Sequence, residues 1–193
     1  NGRPPNNWNP WICSNWINTV LLLEKEEKKR TDHVYKALSV LDQFLNPYPE
    51  DGGCDEGPSY WGAAAASLYD NLSLLNLASN DSFRYVFEDE KVKNMGQFIY
   101  RAQISETYFL NFADADPQPK MSANMIYRYG KDIQDQDMMR FGAYYRGPGE
   151  GEIGRRGDAI GSVASESLRL PISHSPPLSS WFVSEFLFGR FYN

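Results

Sequence analysis

A chain of 193 residues with 41% hydrophobic and 23% charged side chains is long enough to bury a core and too apolar for a disordered segment. A net charge of −6 disfavours a nucleic-acid binder, which carries a basic face. No run of about eighteen apolar residues offers a membrane span, and no signal peptide is visible.

The first ten residues read as a Pro/Asn loop, and the opening run NGRPPNNWNPW has the look of the interior of a longer protein. From residue 11 to about residue 27, Ile12, Trp16, Val20 and Leu23 repeat at helical spacing, with EKEEKKR as a solvated helix end. Thr31 or Asp32 is then expected to cap a second helix striped by Val34, Leu38, Leu41 and Leu45, stopped by Asn46-Pro47. The loop NPYPEDGGCDEGP holds three Pro, three Gly and four acidic residues, which excludes a helix. Pro58-Ser59 opens a third helix, in which Ala63 to Ala66 mark a close helix approach and Leu68, Leu72 and Leu75 continue a buried stripe.

A fourth helix is expected over residues 91–101, then an extended aromatic connector, TYFLNFADADPQP, and two shorter helices near residues 122–131 and 136–145. The Gly-rich stretch RGPGEGEIGRRGD lacks the Gly-Lys-Ser/Thr ending of a phosphate loop. AIGSVASESLRL suits a short helix, SHSPPLSS a linker, and WFVSEFLFGRFYN an apolar, structured ending. No convincing strand run occurs. The pattern is an all-α array of antiparallel helical hairpins, as in a partial (α/α) toroid, whose loops gather at one end and build a cleft there.

Two cysteines, Cys13 and Cys54, and two histidines, His33 and His174, lack metal-site spacing, so neither a metal nor a cofactor is expected. The cysteines read as free thiols; a disulfide between them would imply an oxidising compartment. Aromatic residues reach 15%, with 5 Trp, 12 Tyr and 11 Phe. Either they fill a core, or some form flat platforms for the C–H faces of sugar rings.

Two segments carry chemistry. In EDGGCDEGPSY, glycines permit tight turns and Pro58 suits a first helical turn, which puts the phenol of Tyr60 at the positive end of the helix dipole. A phenolate there is a credible base for a carbon-bound proton next to a carboxylate. Equally, Tyr60 is a packing aromatic and the Gly/Pro cluster a plain turn. In NNWN, the amides of Asn6, Asn7 and Asn9 either cap the helix or hold a carboxylate and withdraw its charge.

Together, NNWNPW and YPEDGGCDEGPSYW resemble the heparinase II/III-like superfamily of polysaccharide lyases, which includes related alginate lyases. NFADADP and the later YRYG also look like that family's toroid, and the resemblance covers at least residues 1–145. It implies a helical toroid followed by a β-sandwich, acting on an acidic, uronate-containing polysaccharide by β-elimination. In it, Tyr60 matches the catalytic tyrosine, and Asn6, 54 positions earlier, or its neighbour Asn7, matches the group that neutralises the uronate.

Trp8, Asn9, Trp11, Glu56 and Trp61 are the substrate-binding candidates, while Arg3 or the Arg155–Arg156 pair would meet sulfates or carboxylates unless simply exposed. The family's further His, supplied near the sandwich, has no clear counterpart: His33 reads as a surface or capping residue and His174 lies in the linker. The resemblance therefore implies that residues 1–193 are one toroid segment of a larger bacterial lyase. Residues 171–193 would begin a linker, and the partners would be the remaining N-terminal helices and β-sandwich of the same polypeptide. It also implies a periplasmic or secreted location, with neither nucleic acid nor membrane as partner. Two other functions fit the residues: a toroid glycoside hydrolase using two of Asp51, Asp55 and Glu56 about 5–10 Å apart, or a non-catalytic glycan- or protein-binding helical domain.

Overall fold

The computed structural model describes residues 6–146. Arg3 and everything read above into residues 147–193 lie outside this range. The described chain is all-α apart from one short hairpin. Its helices are α1 (Trp8–Leu23), α2 (Glu27–Leu45), α3 (Ser67–Ala78), α4 (Glu90–Arg101), α5 (Ala123–Asp132) and α6 (Gln136–Tyr145). Strands β1 (Gln103–Ser105) and β2 (Tyr108–Phe109) pair antiparallel.

The first helix differs from its expected phase. Its buried residues are Pro10, Cys13, Ile17, Val20 and Leu21, whereas Ile12 and Leu23 face solvent. The helix is apolar on nearly every side, so periodicity alone does not choose the inner face. The charged run is also corrected. Glu24 and Glu26 are extended and form the turn, and Glu27 already begins α2, four to five residues before Thr31 and Asp32. Lys and Glu are good helix formers, and the Lys28–Asp32 pair at 3.0 Å supports the new first turns. The expected stripe of Val34, Leu38, Leu41 and Leu45 is buried, and α2 stops at Leu45 as Asn46-Pro47 requires.

Buried Lys91 closes that helix: its ammonium donates to the carbonyls of Leu45 (3.2 Å) and Asn46 (3.1 Å) and pairs with Glu50 (3.1 Å). A cation at a helix C-terminus satisfies carbonyls that the helix leaves open. Asn94 Nδ2 donates to the carbonyl of Glu50 at 2.9 Å, so α4 anchors the loop leading to residue 57 from two positions.

The third helix begins in three stages. A 3-10 turn over Pro58–Tyr60 is followed by a π segment over Gly62–Ala66, and regular α-helix starts only at Ser67. In the wide turn the Ala66 N–H reaches back to the Trp61 carbonyl at 3.0 Å. Leu68, Leu72 and Leu75 are fully buried, as is the run from Ala64 to Ala66. Helix α1 packs on α2 and α3, and α5 on α6. Between α3, α4 and α5, Tyr69 stacks on Tyr129 with ring centres 4.4 Å apart, and the Tyr129 hydroxyl donates to the Val92 carbonyl at 2.6 Å. Tyr69 and Arg84 both donate to the Asp132 carboxylate, at 2.7 and 2.8 Å. Cys13 and Cys54 are buried free thiols, and burial pushes each up to about 11.

Asp42 on α2 is at odds with its surroundings. One carboxylate oxygen is buried without a hydrogen-bond partner, and burial pushes the carboxyl up to about 7, with Asn46 offsetting only part. Above the ordinary carboxylate range and up to about 7, the folded chain binds more protons than the unfolded one. Stability therefore falls as pH rises through that window. Asp42→Asn is expected to raise Tm at about pH 8 and to leave it nearly unchanged at about pH 4, as followed by circular dichroism.

Candidate functional site

Three segments far apart in sequence meet at one end of α1 and α3. The first is the start of α1. Here the Asn6 side-chain oxygen accepts from the Trp8 N–H (3.1 Å), and the Asn9 side-chain oxygen accepts from the Asn6 N–H (3.0 Å). This is reciprocal capping of donors that a helix start leaves open. It commits the oxygens of Asn6 and Asn9 to the backbone. The Asn7 side chain takes no part in the cap; its Nδ2 donates instead to Glu56 Oε2, 49 positions away. Asn71 on α3 donates to the carbonyls of Pro10 (2.8 Å) and Ser67 (2.7 Å), which ties the start of α1 to the start of α3.

The second segment is the loop ending on Tyr60. Gly57 has φ +87 and ψ 177, a region that only glycine occupies readily, so Glu56 turns toward Asn7 and Pro58 starts the next turn. Tyr60 is 36% exposed, with its backbone N–H on the Gly57 carbonyl at 3.1 Å. Because the helix here is a 3-10 turn running into a π segment, the phenol does not stand on the first turn of a regular α-helix. Wide turns of this kind recur at functional sites, where they re-aim side chains.

The third segment is the connector NFADADP. The Ser59 hydroxyl accepts from the Asp116 N–H at 2.6 Å, and the Gly57 Cα faces Ala115 and the Phe112 carbonyl. Burial raises the Glu56 carboxyl above its ordinary value, and the neighbouring charges of Asp55 and Asp114 add to this. The sequence reads this stretch as a connector that resembles part of the lyase toroid, with no site residue in it. Its acidic and small residues gave no sign that Asp114 and the Ser59–Asp116 latch would border the site.

Trp8 and Trp11 are 56% and 47% exposed, with ring centres 5.1 Å apart. They form an open aromatic surface beside Asn7. Trp61, expected as a third platform, is a correction. It is 3% exposed, and its indole N–H donates to the Met95 carbonyl at 2.8 Å. An indole that finds a backbone acceptor inside is a core residue. Asp51 and Asp55 are exposed, and the Asp51 carboxylate accepts from the Gly53 N–H at 2.9 Å, a turn-forming role. His33 is half-buried on α2, edge-on to Trp16 at 5.7 Å. Trp16 stands eight residues along α1 from Trp8, roughly 12 Å by helical rise.

No family model matches this chain, and no curated protein matches it. Among the described residues, no group of three or more His, Cys, Asp or Glu side chains is arranged to hold a metal ion. No described helix is long and apolar enough to cross a membrane.

Proposed function

We propose that this chain is a toroid segment of a polysaccharide lyase that cleaves a uronate-containing glycan by β-elimination, with Tyr60 as base and Asn7 as the carboxylate-binding amide. One observation carries the reading: the Asn7 amide is tied to Glu56, in the same short loop that ends on the exposed phenol of Tyr60. Asn6, the first choice by spacing alone, keeps its oxygen on the backbone cap. Asn7 is the one of the two tied to the loop that carries Tyr60.

The chemistry needs two things at once. An amide N–H donated to the uronate carboxylate stabilises the negative charge that builds there as the C5 proton departs. Tyr60 as phenolate takes that proton. The electron pair forms the C4–C5 double bond, the O4 bond breaks, and Tyr60 returns its proton to the departing oxygen. Atoms and charge balance with one tyrosine. The likeness to the heparinase II/III-like lyases supports the same assignment, and with it a periplasmic or secreted protein working with further helices and a β-sandwich.

Incubating the 193-residue chain with polymannuronate, polyguluronate, and unsulfated and sulfated glucuronate glycans tests this. A conjugated C4–C5 double bond raises ultraviolet absorbance, and that rise is expected with at least one of them. New reducing ends without absorbance would replace the reading with the hydrolase built on Asp51, Asp55 or Glu56. Binding without either product would replace it with a glycan-binding domain.

Trp8 and Trp11 are the sugar platforms in this reading. Each stacking contact contributes about 1 kcal/mol, so Trp8→Ala combined with Trp11→Ala is expected to raise KM roughly tenfold or more with kcat nearly unchanged. Both rings are exposed, so Tm is expected to move little. Steady-state kinetics on the best substrate checks it.

A further inference from the structure

We infer that Glu56 is a positioning residue that sets the orientation of the Asn7 amide toward the substrate carboxylate. The inference rests on the lyase reading and deepens it. An asparagine side chain has two faces of opposite character, a carbonyl that repels a carboxylate and an NH2 that binds one. Nothing in asparagine itself selects between them, since the two rotations differ little in shape. An ionised glutamate is acceptor-only, so a Glu56 oxygen against Nδ2 fixes which way round the amide sits. One of the two amide hydrogens is then held by Glu56. The other remains for a substrate oxygen.

The surroundings suit a holder rather than a substrate ligand. Glu56 is half-buried and flanked by Asp55 in sequence and by Asp114 from the connector, so its own carboxylate is unsuited to ligate an acidic sugar directly. Its backbone is pinned by the Gly57 N–H on the Cys54 carbonyl at 3.0 Å, and Gly57 itself lies against the connector. A fixed acceptor on a fixed loop removes the rotation of Asn7 that substrate binding would otherwise have to freeze. Glu56, read from the sequence as substrate-binding, is thereby reassigned to act through Asn7.

The test uses Glu56→Ala and Glu56→Gln in the full 193-residue chain, with two readouts. The first is the side-chain amide proton pair of Asn7 in heteronuclear NMR, identified by its loss in Asn7→Asp. The wild-type pair is expected to be widely split and slow to exchange with solvent. Glu56→Ala is expected to collapse it to the narrow, fast-exchanging pattern of an exposed amide. Glu56→Gln, which keeps an acceptor oxygen, is expected to retain most of the splitting. The second readout is kinetic. Glu56→Ala is expected to lower kcat roughly 10²-fold, as for a misplaced reacting group, with Glu56→Gln restoring most of it. Combined with Asn7→Ala it should cost little more than Asn7→Ala alone.

An amide pair unmoved by Glu56→Ala overturns the inference, whatever the activity. So do losses from Glu56→Ala and Asn7→Ala that add in full. An amide pair that responds as expected, in a chain that eliminates no uronate glycan, overturns the lyase reading instead, and leaves Glu56 as the holder of Asn7 alone.

Discussion

Tyr60→Phe is expected to lower turnover by about 10²–10⁴-fold, the usual contribution of a positioned acid–base group, and to leave the fold intact. The change removes one oxygen from a side chain that is 36% exposed. The turn around it is held by backbone bonds that the substitution does not touch. The Tyr60 N–H stays on the Gly57 carbonyl (3.1 Å) and the Trp61 N–H on the Pro58 carbonyl (3.2 Å). Phenylalanine keeps the ring and its contacts, so KM and Tm are expected to stay near their wild-type values. That combination separates a base from a platform, since a platform depends on the ring face and would survive in Phe with its turnover. Kinetics and thermal unfolding on the same preparations check both halves. A variant that turns over at the wild-type rate would remove Tyr60 from the chemistry.

The second large effect is on the scaffold. Gly57→Ala is expected to destabilise the chain and disable the site together. The backbone conformation at this position, φ +87 and ψ 177, costs a non-glycine residue about 1–3 kcal/mol. An added Cβ would also stand 2.5 Å from the Ala115 Cβ and 2.8 Å from the Phe112 carbonyl oxygen. Relieving that overlap pushes the connector off the loop, at about 1–3 kcal/mol by the usual cost of overpacking. At about 2–4 °C per kcal/mol for a chain of this size, Tm is expected to fall by roughly 5–25 °C. Gly62→Ala is the control. Nothing lies within 4 Å of its added Cβ and the position is exposed, so Tm should hold or rise slightly. Equal losses from the two substitutions would contradict the close approach of the connector to Gly57.

Much of the fold could be read before the structure, and the reasons differ by element. In α2 and α3 the leucines and valines sit among polar residues, so the inner face announces itself. In α1 the polar residues Ser14, Asn15, Asn18 and Thr19 share their side with Trp11 and Leu22, and the apolar arc opposite is wide enough to hold more than one stripe. The expected stripe accordingly included Ile12, which is 56% exposed, and omitted Cys13 and Ile17, each 1% exposed. The boundary between α1 and α2 fell inside EKEEKKR, whose residues are all compatible with helix. The hairpin of β1 and β2 is too short for alternation to register. The π segment follows directly on Trp61, whose indole is buried against the Met95 carbonyl, and an alanine run does not reveal it.

The site was legible in its parts and not in its joins. Gly57 and Pro58 marked a shaped turn ahead of Tyr60, and that turn is present. The choice between Asn6 and Asn7 depends on which side chain caps the helix and which reaches across 49 positions to Glu56, and spacing has no access to that. The burial of Trp61 was hidden for the same reason: its acceptor, the Met95 carbonyl, lies 34 positions away.

The most direct test of the central claim is the fate of solvent oxygen when the chain cuts a uronate glycan in water enriched in heavy oxygen. Elimination breaks the bond to O4 without adding water, so mass spectra of the fragments are expected to show an unsaturated end and no heavy oxygen fixed by cleavage. Fragments carrying one heavy oxygen per cut, at the new reducing end alone, with no unsaturation, would contradict a Tyr60-centred elimination and assign the cut to the carboxylates instead.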